Sequence, residues 1–212
     1  MTVFYRYQDS GLDDWDVSNN YMQIGFRPGF GVQARELTQL QTILQSQITA
    51  LARRFLISGS IIDAGLSFSG GGAGGWSGTL DVGQIYIEPS NSELGYFVYN
   101  SNPILFGNIE TSDTENTNVY IIYEEVQVNP DGRKFDGGGG YAPVRLDESL
   151  KDNAQGYANH SAPGASRYQI NIIGGGSYIQ NSGISLPSNA INIAYYDAIT
   201  GTWKYYDTND PV

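Results

Sequence analysis

The sequence contains no cysteine. That removes disulfides, thiolate zinc sites and cysteine nucleophiles, and it fits a protein that folds in a reducing compartment. Histidine is nearly absent too, with only His160, so the sets of two or three imidazoles that hold a catalytic zinc cannot form. Basic residues are scarce: 11 Lys and Arg stand against 22 Asp and Glu, a net charge of −11. A surface of that sign repels phosphate, which argues against a nucleic-acid partner. No stretch approaches the roughly 20 apolar residues needed to span a bilayer. Residues 1–10 lack the apolar core of a secretory signal. The expectation is a chain made and folded in a cytoplasm, with neither membrane nor nucleic acid as partner.

Only 16% of the 212 residues are charged, whereas glycine occurs 27 times and tyrosine 16 times. Tyrosine gives a pleated surface large apolar area with a polar tip, and glycine supplies tight turns. The length suits one medium domain, or a domain with an arm, and is enough to bury a core without disulfides. The predicted fold class is α+β, mainly β: an N-terminal extended arm over 1–24, a turn and long helix over 25–60, and an antiparallel β-rich domain with long loops over 61–212.

The arm mixes aromatic and acidic residues without a period, with Phe4, Tyr5, Tyr7 and Trp15 as the side chains most in need of cover. They dock either on a neighbouring subunit or on the chain's own domain. Arg27-Pro28-Gly29 then reads as a turn, proline fixing φ and glycine supplying freedom. From Val32 to Phe55 the residues Leu37, Leu40, Leu44, Ile48, Leu51 and Phe55 are spaced 3, 4, 4, 3 and 4 apart. That is one apolar stripe at helical period. Glu36 near its start and Arg53 with Arg54 near its end complement the helix dipole, and Gly59 is placed to stop it. Gln33, Gln39, Gln41, Gln45 and Gln47 occupy the remaining surface. With Leu37 and Leu44 at heptad position a, Leu40 and Gln47 fall at d, where a polar residue fixes register at a cost in stability. Two arrangements follow from the spacing: an amphipathic helix lying on its own sheet, or a helix that assembles with copies of itself.

Beyond Gly59 the period changes. Strands are predicted over Thr79–Ile87, Tyr96–Tyr99, Val119–Val128, Arg167–Ile173, Ile191–Tyr196 and Thr202–Tyr206, the last two as a hairpin around 197–201. The glycine-rich run Ser69–Gly75 is predicted as a flexible loop, as are the turn at 129–132, the glycines at 137–140 and the polar stretch Asp147–Ser166.

Few constellations carry chemistry. Gly70, Gly72 and Gly75 satisfy the spacing of a dinucleotide fingerprint, but Trp76-Ser77-Gly78-Thr79 follows in place of a helix, so no helix amides would meet a pyrophosphate. Ser161, His160 and Asp152 sit too close along the chain to face one another as a triad. Glu124 and Glu125 fall side by side in a strand, while other carboxylates fall in turns. Nothing here assigns catalysis, a cofactor or a metal. Trp76, Trp203, Tyr205 and Tyr206 offer either sheet packing or a sugar-stacking surface.

Two phrases add a resemblance. Gly25-Phe26-Arg27-Pro28-Gly29 leads into Val32-Gln33-Ala34-Arg35-Glu36-Leu37 and on to Gly59-Ser60-Ile61-Ile62. Farther on, Asp152-Asn153-Ala154-Gln155-Gly156-Tyr157 precedes Ala162-Pro163-Gly164-Ala165-Ser166-Arg167-Tyr168. Over about residues 20–175 the chain resembles a domain of large virion proteins in tailed bacteriophages, cyanophages included. Family members often carry Asp where this chain has Ser166. The resemblance implies a structural, non-enzymatic protein of the virion tail or baseplate, assembled in the bacterial host cytoplasm. It implies a baseplate wedge or tail-fibre adaptor with no distal shaft. Its partners would be other tail and baseplate proteins, the tail fibre and further copies of itself, a trimer being favoured. The alternative is a glycan- or receptor-binding tail module. Under the resemblance, Arg27, Pro28, Gly29, Arg35, Glu36, Pro163, Gly164 and Arg167 are motif and anchoring positions. Leu37, Leu40, Leu44, Gln47, Ile48, Leu51 and Phe55 form the assembly helix.

Overall fold

A proline and a glycine set the entry to the helix. The structure, a computed structural model, describes residues 15–71, 75–89, 93–129, 144–147 and 167–206. Pro28 and Gly29 are the two central residues of a β-turn, with the Phe30 amide donating to the Arg27 carbonyl at 3.4 Å. Gly29 has φ of 84°, the left-handed value that a type II turn requires at its third residue and that favours glycine. Three residues on, the Glu36 carboxylate accepts from the Gln33 amide at 2.9 Å, while the Glu36 amide donates to the Gln33 carbonyl at 3.1 Å. This is the glutamate half of a capping box, satisfying an amide that the helix itself cannot. The phrase from Arg27 to Glu36 therefore spells a turn followed by a helix start.

Helix α1 covers Ala34–Ala52, inside the predicted Val32–Phe55. A further hydrogen-bonded turn carries the chain on, the Phe55 and Leu56 amides both donating to the Ala52 carbonyl. Gly59 lies beyond that turn with φ of 100°. A Cβ there would strike the backbone carbonyl of Asn192. Gly59 thus permits a close approach of two backbones, and the helix ends several residues before it.

Ten strands follow among the described residues: β1 (Leu66–Gly70), β2 (Trp76–Leu80), β3 (Gly83–Ile87), β4 (Tyr96–Asn100), β5 (Ile104–Ile109), β6 (Thr117–Asn129), β7 (Val144–Leu146), β8 (Arg167–Ile179), β9 (Ala190–Asp197) and β10 (Thr202–Tyr205). They form an antiparallel sheet β1-β2-β5, an antiparallel pair β3-β4, and a sheet β10-β9-β6-β7 in which β8 also pairs with β6. The mainly β class with one α-helix among the described residues stands. Its antiparallel character has one exception, because β7 pairs with β6 in parallel, Gln127 opposite Val144.

Four strand expectations need correction. The predicted strand Thr79–Ile87 is two strands, broken at Asp81 and Val82. The glycine-rich loop begins inside β1, which ends at Gly70. Strand β5 is absent from the predicted strands; Pro103 precedes it and Gly107-Asn108 interrupts its apolar residues, Asn108 with φ of 49° near a bulge in the β2–β5 register. Strand β8 runs six residues past the expected Ile173, through Gly174-Gly175-Gly176. There a Cβ on Gly175 would meet the Phe106 ring and the Tyr120 carbonyl, so the missing side chain is what lets the strand lie so close.

The chain divides into two compact units, Met1–Gln47 with Glu125–Ile170, and Ile48–Glu124 with Asn171–Val212. The second holds most of the described sheet and a core of Leu80, Ile85, Tyr86, Ile87, Ile109, Val119, Ile121 and Ile193, all without solvent contact. In β6 the alternation puts Val119, Ile121 and Tyr123 inward, as period two requires. The first unit buries Trp15, Ile43, Val126 and Val128.

Candidate functional site

The chemistry of α1 runs opposite to the simplest expectation for an amphipathic helix. Leu37, Leu44, Ile48, Leu51 and Phe55 are exposed, from 47% for Ile48 to 66% for Phe55. The side turned inward carries Ile43, Thr49 and Ala52, buried, with Thr38, Thr42 and Ser46 half-buried beside them. Of the two arrangements left open by the spacing, the leucines lying on the chain's own sheet is not the one observed. Leu40 is half-buried at the edge of the stripe.

Hydroxyls can face inward because their polar atoms are satisfied locally. Thr42 Oγ1 donates to the Thr38 carbonyl at 3.2 Å and Ser46 Oγ to the Ile43 carbonyl at 2.7 Å. Such bonds to the preceding turn remove most of the cost of burying a hydroxyl. Thr49 reaches across to the residue just before β4: its Oγ1 accepts from the Gly95 amide at 2.9 Å and donates to the Gly95 carbonyl at 3.4 Å. Short side chains also permit close approach of the helix. Just past its end, Arg53 makes paired bonds of 3.0 Å to the Glu88 carboxylate, and the buried Tyr86 hydroxyl donates to the same carboxylate at 2.8 Å. Burial of Tyr86 and its bond to Glu88 push that phenol's pKa upward. This ion pair stands just past the C-terminal end of the helix.

No charged residue occurs between Leu37 and Ala52. On a helical wheel at ~100° per residue, Leu37, Leu40, Ile48, Leu51 and Phe55 all fall within about 40° of Leu44. Gln41 and Gln47, both exposed, flank that arc. Gln41 and Gln47 therefore border the leucine face, and the other side carries Ile43 with threonine, serine and alanine and the half-buried Gln39 and Gln45. Gln47 Nε2 donates to the Met22 carbonyl at 3.4 Å, which brings the arm beside the stripe. Met22 is itself exposed, as are Tyr21, Phe26, Phe30 and Val32 on the same stretch of chain. Sequence reasoning missed Met22. The run of hydroxyl residues at 38, 42, 46 and 49 was the signal that a second, inward face existed.

No family model, curated protein or solved structure matches this chain.

The motif positions are distributed as follows. Arg27, Pro28, Gly29, Arg35 and Glu36 lie at the turn and helix start, Arg27 and Arg35 exposed. Arg167 opens β8. Pro163, Gly164, Phe4, Tyr5 and Tyr7 lie outside the described residues, while Trp15 is buried within the chain. A cleft of about 380 Å³ is lined by Phe55, Leu56, Ile61, Leu66, Tyr205 and Tyr206, among others. Phe55 thus belongs both to the stripe and to the cleft wall.

Of the aromatic residues considered for sugar stacking, Trp76 and Trp203 pack on each other, Tyr206 meets Tyr195 edgewise, and Tyr205 is exposed. Trp203 lies flat on Phe68, centroids 3.7 Å apart at 9°, and meets Trp76 and Tyr196 edgewise. The Gly71 backbone sits close to the Trp76 ring, and the Tyr205 hydroxyl donates to the Leu66 carbonyl at 3.0 Å. Glu124 and Glu125 each accept from a neutral donor of β8: Asn171 Nδ2 at 3.2 Å and the Tyr168 hydroxyl at 2.7 Å.

Proposed function

We propose that this chain is a structural component of a tailed-phage virion, a baseplate wedge or fibre-attachment adaptor, acting by protein–protein assembly and not by catalysis. The observation that carries the reading is the direction of the leucines: an uncharged apolar stripe along the only α-helix among the described residues points away from the chain's own core. A soluble protein that leaves such a stripe bare is inviting association, since large exposed apolar patches mark interaction surfaces. The motif phrases point the same way. The turn at Arg27–Phe30 and the cap at Gln33–Glu36 give those residues a shared task, which is to start this helix at a fixed place and angle.

The sugar-binding alternative gains little from Trp76 and Trp203, whose rings are engaged with neighbouring aromatics and backbone. Peptide mass spectrometry on purified particles, followed by fitting of the chain into a reconstruction of the tail, tests the proposal. The expected result is a stoichiometric protein with an ordered position in tail or baseplate. Its absence from infectious particles overturns the assignment.

A further inference from the structure

We propose that β4 pairs edge to edge with β4 of a second copy of this chain, antiparallel about a two-fold axis at Val98, so that the β3-β4 sheet runs on from one protomer into the other. This surface is separate from the leucine stripe.

The hydrogen-bond pattern leaves the β4 edge open. On its far side β3 bonds to residues 59–62: the Gly59 amide donates to the Tyr86 carbonyl, the Tyr86 amide to the Ser60 carbonyl and the Ile62 amide to the Gln84 carbonyl. Successive residues of an antiparallel strand turn their amide and carbonyl to opposite sides. Gly83, Ile85 and Ile87 therefore face β4, where they stand opposite Asn100, Val98 and Tyr96. The amides and carbonyls of Phe97 and Tyr99 then point outward. At Gly95, the preceding outward position, Thr49 Oγ1 takes both groups. At Phe97 and Tyr99 nothing among the described residues does.

Other outer strands are blunted. β10 carries Lys204, β1 runs into Gly70 and Gly71 at positive φ, and β5 is interrupted by Asn108 near a bulge. Charge, short length and bulges are the devices that keep an edge strand from pairing. β4 reads Tyr-Phe-Val-Tyr-Asn in unbroken register with β3, and no charged residue occurs from Leu94 to Ile109. Phe97 and Tyr99 are 45% and 61% exposed, while Val98 and Asn100 are buried.

Symmetry selects the occupant. The open residues stand one on either side of Val98, so an identical strand running the other way sets Phe97 opposite Tyr99 and Tyr99 opposite Phe97. Each of these two pairs exchanges two bonds, and every outward group is used. The same register lays aromatic ring beside aromatic ring on the exposed face and Val98 beside Val98 on the other, the kind of cross-strand pair that stabilises a sheet. It also sends the two copies of Glu93 to opposite ends of the joint sheet. A parallel arrangement would set them side by side in a chain already at −11. Because β4 ends at Asn100, the pairing stops short of the helix contact at Gly95. The arrangement is isologous, so it closes as a dimer.

The full chain, purified alone, is measured by light scattering coupled to size exclusion. The parent should show at least twice the 23.1 kDa of one chain. Phe97→Lys with Tyr99→Lys, both at exposed positions, should halve the parent's mass and keep its far-ultraviolet circular dichroism. A parent with the mass of one chain, or a variant with the mass of the parent, overturns the proposal. Amide hydrogen exchange reads the main chain itself. The Val98 amide, bonded to β3, should be slow in parent and variant alike, whereas those at 97 and 99 should be slow in the parent and on the order of tenfold faster or more in the variant. Fast exchange at both positions in the parent refutes the pairing. With no cysteine in the chain, Phe97→Cys and Tyr99→Cys report the register, since opposite residues of a bonded pair lie about 5.5 Å apart, within reach of a disulfide. Oxidation should join the two variants when they are mixed and exchanged, and join neither to itself. A self-linked variant, or a mixture that does not link, sinks the register. None of these readings depends on what covers the leucines or on where the protein sits in a particle. A single-chain protein found in virions would remove this inference alone, and a β4 dimer absent from virions would remove only the virion assignment.

Discussion

Replacing Thr49 by valine puts the inward face of the helix to a test of sign. The two side chains have nearly the same shape, so packing changes little. Thr49 is 1% exposed, and bookkeeping by apolar area alone expects the added methyl to stabilise by about 1 kcal/mol. Hydrogen bonding expects the reverse. The hydroxyl accepts from the Gly95 amide and donates to its carbonyl, and Gly95 is buried. Depriving a buried polar group of its partner costs about 1–3 kcal/mol, and the amide contact, at 2.9 Å, is the stronger of the two. A net loss of about 2 kcal/mol follows. For a chain of this length that lowers Tm by about 4–8 °C. Thermal unfolding followed by circular dichroism, at one fixed protein concentration because association shifts Tm, reads it directly. A melting temperature equal to or above that of the parent refutes the argument that hydroxyl bonds hold this face.

Leu37→Ala, measured at one low protein concentration, should cost less than about 1 kcal/mol in a urea titration, against the 2–5 kcal/mol typical of a core leucine; a core-like loss would show that the stripe is buried by its own chain. Asp197 is held down to about 2 by its bonds to Lys204 and Thr200, with the Ile199 and Thr200 amides adding to them. Its contribution to stability is present above the ordinary carboxylate value near 3.8 and fades as pH falls through about 2, so Asp197→Asn should weaken the protein at pH 7 and match the parent near pH 2. Tyr206 is pushed up to about 12, by burial first and then by Tyr178 and Tyr195. The stability linked to its neutral form is complete below about 10 and lost as pH rises toward 12; Tyr206→Phe should flatten that alkaline decline, and an unchanged profile would count against a buried phenol.

Some of this structure was legible in the residues, and what was missed has physical reasons. The 3-4 spacing from Leu37 to Phe55 located the helix and its apolar side because period is a local property. What covers that side is not local. The same spacing serves a helix lying on its own sheet and one facing outward, and only the self-bonded hydroxyls of Thr42 and Ser46 with the reach of Thr49 to Gly95 distinguish them. Strands rich in isoleucine, valine and tyrosine, such as β6 and β9, were found by composition. Strands carrying glycine or asparagine inside them were lost: β1 at Gly70, β5 at Gly107-Asn108 and the second half of β8. At Gly175 the glycine is a matter of tertiary closeness, against Phe106 and the Tyr120 carbonyl, which no local turn rule contains. β7, with three residues, is too short to show any period. The arm was expected to need cover, and Trp15 is buried, while Met22 beside Gln47 had no signal of its own.

With Ile43, Thr49 and Ala52 buried on the opposite side, the exposed leucines contribute little to folding. On the proposal that the ridge is an assembly surface, substitutions along it change what docks there without jeopardising the protomer itself. Affinity and specificity are in this sense free to drift, lineage by lineage, while the scaffold beneath them stays put.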